Sequence, residues 1–166
     1  DITAALQVNT VSGALTGTAG GQCLGSGLNR LAIAGVADFS ATNDCALKID
    51  KAATDYTIRF TSSVGSVDSS ALTITFGAAA ALALTTAPTA STVSAVAFAQ
   101  QPIVTVRDAS GNTVTDSVLD ITASLQVNTV SGALTGTTGG QCLGSGLNRL
   151  AIAGVADFSA TNDCAL

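Results

Sequence analysis

The segment Asp1–Leu47 recurs as Asp120–Leu166, offset by 119 residues, and the two copies differ only where Ala5 becomes Ser124 and Ala19 becomes Thr138. Identity at this level does not arise by chance. The chain therefore holds one repeat unit of 119 residues and the first 47 residues of a second. Solenoid repeats run to roughly 20–50 residues each and cannot bury a core alone. A period of 119 is instead the size of a self-sufficient domain. Both ends of the chain fall in strand-like sequence inside a repeat, so the parent polypeptide is expected to continue in both directions.

Composition narrows what such a domain can be. Hydrophobic residues make up 47% of the chain and charged residues 10%, which is too apolar for a disordered segment. The apolar share comes mostly from Ala, Val, Leu and Ile, with aromatics at 4%. Small and β-branched side chains of this kind suit thin sheets of short strands. All 11 acidic residues are Asp, and Glu is absent. Asp favours turns through its short hydrogen-bonding side chain, whereas Glu favours helices.

Period-two alternation recurs along the chain, bounded each time by turn residues. Ile2, Ala4, Leu6 and Val8 form one such series, Tyr56, Ile58, Phe60 and Ser62 a second, and Leu72, Ile74 and Phe76 a third. Val104 and Val106 alternate with Ile103, Thr105 and Arg107, and a further strand is expected over Gly35–Ser40 with Ala37 and Phe39 facing inward. Turns are expected at Asp108–Asn112, Gly20-Gly21, Gly25–Gly27 and Val64-Gly65. Ala78–Ala83 is read as a connector leading into a first strand. No segment carries a helical stripe.

Seven or eight short strands per period predict an antiparallel β-sandwich. The stretches Gln101–Val114, Gly35–Ser40 and Thr54–Ser63 resemble bacterial immunoglobulin-like repeats of surface adhesins and giant extracellular proteins. The resemblance implies an all-β, immunoglobulin-like sandwich repeated in tandem. It implies that residues 1–82 are the later part of one repeat and 83–166 the earlier part of the next. Whether Ala83–Leu119 pairs with the preceding or the following sheet is open at this level. The glycine-rich insert Gly20–Cys45 departs from the simple family pattern.

Each copy carries one cysteine pair, Cys23 with Cys45 and Cys142 with Cys164. Zinc is disfavoured because the chain has no His and no Cys-x-x-Cys spacing. A disulfide within each copy is the expectation, with buried free thiols and a link between neighbouring subunits as the alternatives. Closing a loop of this size stabilises a fold by about 3 kcal/mol in the chain-entropy model. Disulfides persist outside the reducing cytosol, which predicts an extracellular or cell-surface location.

The residues offer little chemistry. Without His there is no near-neutral imidazole base, and no Ser lies in a Gly-x-Ser-x-Gly elbow. The glycine pairs lack the Lys-Ser/Thr that a phosphate loop requires. Two Asp groups, Asp108, Asp116 and Asp120, and Asp44, Asp50 and Asp55, are the candidates for a calcium site. The favoured reading is that Asp108 caps the Gly111-Asn112 turn and the others are solvated, so no metal or cofactor is expected. Arg59 and Arg107 are placed on outward faces, and Tyr56 is a candidate for a tyrosine-corner-like hydrogen bond.

Net charge is −5 with six scattered Lys and Arg, which argues against nucleic acid and anionic membrane surfaces. The longest apolar run, Phe76–Leu84, is far short of the roughly 20 residues a membrane helix needs. The expected partners are neighbouring repeats or copies of the chain itself. Sequence thus predicts a non-enzymatic structural protein forming an extracellular stalk, fibre or surface filament. An adhesin repeat that binds a host, glycan or abiotic surface is the alternative. With one Tyr and no Trp, however, the repeat is poor in binding anchors.

Overall fold

The computed structural model describes all residues except 19–22, 25–26, 42–44, 138–141, 144–145 and 160–164. Among the described residues there is no α-helix, and every strand pairing is antiparallel. The protein is all-β. It divides into two compact units, Asp1–Phe76 and Gly77–Leu166.

The first unit contains β1 (Ile2–Val8), β2 (Leu15–Gly17), β3 (Cys23–Leu24), β4 (Asn29–Arg30), β5 (Leu47–Ile49), β6 (Ala53–Ser62), β7 (Gly65–Asp68) and β8 (Leu72–Ile74). Its main sheet runs β3-β4-β1-β6-β7, β8 also pairs with β6, and β2 pairs with β5 separately. Alternation in the sequence becomes alternation in burial. Ala4 is buried and Leu6 half-buried on β1, opposite Phe60 and Ile58 of β6. Tyr56 and Ile58 supply the buried face of β6. The expected turn at Val64-Gly65 is a tight hairpin in which Ser62 faces Gly65, and Gly65 has a φ of +144° that L side chains rarely adopt.

The second unit contains β9 (Ala79–Thr86), β10 (Ile103–Asp108), β11 (Asp120–Thr122), β12 (Cys142–Leu143), β13 (Asn148–Leu150) and β14 (Val155–Asp157). Two sheets form, β14-β10-β9 and β11-β13-β12. The pairing of β10 with β14 joins the non-repeated stretch to the repeat copy that follows it. Val106, Ala151, Ala156 and Phe158 are the most deeply buried apolar side chains here.

Two expectations about strands are corrected, and one strand carries no signal in the sequence. Ala79–Thr86 is a strand rather than a connector, because an alanine run hides the polar alternation that marks strands elsewhere. β7 was not foreseen; its four residues are all exposed and are held by pairing with β6 rather than by an apolar face. Gly35–Ser40 is not a strand in the first copy, where only an Ile33–Val36 bridge forms. Its twin in the second copy, around Val155–Asp157, does form one, because β10 lies alongside to accept it.

That last contrast is general. Features set by nearby residues appear in both copies. The Asn9 side chain brackets Gly13 with two hydrogen bonds of 2.7 Å, and Asn128 brackets Gly132 in the same way. Gly27 and Gly146 take φ near +76° against the backbone of Gly17 and Gly136. Features that need a distant partner differ. β1 spans seven residues beside β6, whereas its twin β11 spans three and, among the described residues, has no strand on that edge. Leu15–Gly17 pairs with β5, whereas Leu134–Gly136 is not in a strand.

Candidate functional site

Of the cysteines that sequence singled out, Cys23 and Cys142 lie in two short hairpins. β3 and β4 are antiparallel, with Cys23 opposite Arg30, and the hairpin places Cys23 against Cys45 with a Cα–Cα separation of 5.6 Å. The two are joined in a disulfide, and both are buried. Cys142 is likewise disulfide-bonded; Cys164, its expected partner, lies outside the described residues. The bond ties the glycine-rich excursion to the segment that leads into β5, so a stretch with little apolar area of its own is held by a covalent link.

Sequence reasoning missed the arginines inside these hairpins. Arg30 and Arg149 occupy the same repeat position and are 4% and 2% exposed. The Arg30 guanidinium donates through Nη1 to Cys45 Sγ at 3.5 Å. Arg149 stands opposite Cys142 in the β12–β13 register, as Arg30 stands opposite Cys23. Among the described residues the Nε of each has no hydrogen-bond partner. A lone arginine in a turn-rich stretch gives no sequence signal of burial, since its type is mostly exposed. Only the alternation across a two-residue strand beside Cys23 points inward.

Asp108 ends β10 and accepts four hydrogen bonds. Its Oδ1 takes the amides of Ser110 at 2.9 Å and Asn112 at 2.8 Å, and its Oδ2 takes the Gly77 amide at 2.8 Å and Asn112 Nδ2 at 2.9 Å. The Gly77 amide, followed by the Asn112 side chain, holds this carboxyl down at about 2. Asp108 therefore caps the Gly111-Asn112 turn and ties down the start of the second unit. Its oxygens face N–H donors. Among the described residues no group of three acidic or cysteine side chains assembles into a metal site, and Asp44 lies outside them.

Tyr56 is 1% exposed and its hydroxyl donates to the Lys51 carbonyl at 3.1 Å, a hydrogen bond to backbone five residues upstream. Burial, reinforced by the nearby Asp50 charge, pushes its phenol above the ordinary tyrosine value. Arg59 forms a two-pronged ion pair with Asp68, its cross-strand partner on β7, through contacts of 2.7 Å. Arg107 is not on an open face as expected. It is half-buried, and its Nη1 donates to the Gly111 carbonyl at 2.8 Å, bracing the turn that Asp108 caps.

No family model, curated protein or solved structure matches the chain. The polar groups that the fold organises are hairpin caps, turn braces and a disulfide. Among the described residues no helix is long and apolar enough to cross a membrane. The disulfide is the chemistry of an oxidising compartment.

Proposed function

We propose that this chain belongs to an extracellular structural protein in which immunoglobulin-like β-sandwich domains repeat in tandem to form a stalk, fibre or surface filament. The observation that carries the reading is the 119-residue period itself, in which 45 of 47 compared positions are identical. Identical modules present identical surfaces. One interface repeated at a constant rotation generates a linear or helical array rather than a closed ring.

The resemblance to bacterial immunoglobulin-like repeats, the all-β architecture and the disulfide support the same reading. So does the chemistry of the described polar groups. Asp108, Asn9 and Tyr56 are spent on backbone hydrogen bonds, and Arg59 on a surface ion pair. On this reading the repeat catalyses nothing and its partners are neighbouring repeats.

Small-angle scattering from polypeptides carrying increasing numbers of the 119-residue period tests it. The maximum dimension rises by a constant step with each added period. A dimension that grows only as the cube root of mass, as for a compact globule, contradicts the reading.

A further inference from the structure

One row of side chains is built twice. In the first hairpin Cys23, Arg30 and Ile2 stand opposite one another on β3, β4 and β1. In the second, Cys142, Arg149 and Ile121 do so on β12, β13 and β11. Directly opposed residues of neighbouring strands point to the same face of a sheet, so each guanidinium lies beside a cysteine. The surroundings differ, with β6 beside β1 in the first unit and β10 beside β14 in the second, yet both arginines are buried. The arrangement therefore belongs to the hairpin and not to its neighbours.

A buried guanidinium is ordinarily paired with a carboxylate, because an isolated charge is costly to remove from water. Among the described residues the ion pair is that of Arg59 with Asp68, and neither Arg30 nor Arg149 has an acidic partner. Arg30 donates through Nη1 to Cys45 Sγ at 3.5 Å, while Nε of Arg30 and both Nε and Nη1 of Arg149 meet no acceptor among the described residues. A disulfide sulfur is a weak, uncharged acceptor and leaves the cation uncompensated. A thiolate at the same place would carry a full opposite charge. The two sulfurs are also unequal. Cys45 faces the guanidinium and is 0% exposed, whereas Cys23 lies on the outer strand of its sheet, among the described residues, and is 6% exposed.

We propose that the Cys23–Cys45 bond is a site of exchange with low-molecular-weight thiols, in which Arg30 receives Cys45 as the leaving thiolate, and that Arg149 serves the second cysteine pair in the same way. The thiolate of the small molecule attacks Cys23 Sγ, the S–S bond breaks, and its electron pair stays on Cys45 Sγ beside the Arg30 guanidinium. A mixed disulfide remains on Cys23. A second small thiolate then attacks the small molecule's sulfur in that mixed disulfide, releasing Cys23 as a thiolate that takes a proton from water. Two small thiols are thereby oxidised to one disulfide and the cysteine pair is reduced by two electrons. A stabilised leaving thiolate departs faster and makes the bond easier to reduce. The exchange chemistry is independent of whether the repeats form a stalk.

The test uses the full 166-residue chain equilibrated with reduced and oxidised glutathione at neutral pH, with the redox state of each pair read by alkylation and peptide mass spectrometry. Arg30→Met shifts the first pair toward the disulfide by about tenfold or more and leaves the second pair unchanged, and Arg149→Met does the reverse. Arg30→Lys, which keeps a cation, shifts the first pair less than Arg30→Met does. In the reduced parent, the pH dependence of Cys45 alkylation has its midpoint below the ordinary thiol value of about 8.5. A folded methionine variant whose pair keeps the parent's equilibrium, or moves toward the dithiol, overturns the proposal. So does a Cys45 thiol that titrates at or above the ordinary value in the parent. That titration needs no substitution, so it decides the matter if a methionine variant loses its hairpin.

Discussion

Phe39 and Phe158 occupy the same repeat position, yet Phe158 is 1% exposed and Phe39 is only half-buried, packed on Phe60 with ring centroids 5.4 Å apart. Their local sequences are identical over Ile33–Ser40 and Ile152–Ser159. What differs is the neighbour, because β10 pairs with β14 and buries Ala156 and Phe158 on the unit's inner face. Phe158→Ala therefore costs the second unit about 3–5 kcal/mol, and Phe39→Ala costs the first unit distinctly less. Chemical denaturation of each variant, followed by exchange at unit-specific amides, separates the two. Equal losses would contradict the assignment of Phe158 to the core.

The disulfide carries a measurable share of the first unit's stability. Cys45→Ala opens the loop between Cys23 and Cys45, whose separation is 22 residues, and lowers stability by about 3 kcal/mol. The same loss appears in the unaltered protein when it is denatured under reducing conditions. A denaturation midpoint that reduction does not move would show that the hairpin is held by packing alone.

Asp108 makes the second unit acid-sensitive over a defined window. Its folded carboxyl is held at about 2, below the value of about 4 for an unfolded Asp. A depressed pKa means that protons bind the unfolded chain more readily, so the contribution is complete above about pH 4 and lost as pH falls toward 2. Asp108→Asn removes it. Urea midpoints of the variant and the parent should converge between pH 4 and pH 2, and parallel curves would refute this role.

Two close approaches tie local geometry to stability. A Cβ on Gly17 would collide with the Gly27 carbonyl, and Gly136 meets Gly146 in the same way. Gly17→Ala and Gly136→Ala are each expected to destabilise their unit by about 1–3 kcal/mol, since one backbone must move away from the other. Thermal unfolding of the single variants checks this, and a neutral effect at either position would contradict the packing described.

Tyr56→Phe removes one hydrogen bond to the Lys51 carbonyl and no packing. The expected loss is about 1 kcal/mol. In the parent protein, ultraviolet titration of this single tyrosine should give ionisation above the ordinary phenol value, because burial opposes the charged form. An ordinary phenol titration in the folded state would place the side chain in water instead.

Sequence was most informative where polar and apolar residues alternate. The strands over Ile2–Val8, Tyr56–Ser62, Leu72–Ile74 and Ile103–Arg107 are legible because apolar residues recur at every second position, even though Ala5 and Ile103 add apolar residues on the opposite face. β9 is not, because Ala79–Ala83 shows no contrast between faces apart from Leu82. β7 is not, because Gly65–Asp68 has no buried face at all and exists through its hairpin with β6. The cysteines announced themselves by type and spacing. The buried Arg30 and Arg149 did not, because burial of a guanidinium is decided by what the hairpin packs against. Gly35–Ser40 states the limit most clearly, since one sequence gives a bridged turn in one copy and a strand in the other.

Reiteration of one module along the polypeptide is the core of this account, and an internal copy with non-repeated sequence on both sides tests it most directly. The measurement is a structure of a polypeptide spanning two complete periods. In its internal copy, the residues equivalent to Ala156 and Phe158 should be buried against a β10-type strand while those equivalent to Leu6 and Val8 pair with a β6-type strand, so that both sets of partners occur at once. An internal copy that keeps only one set, leaving the other edge bare, would contradict it.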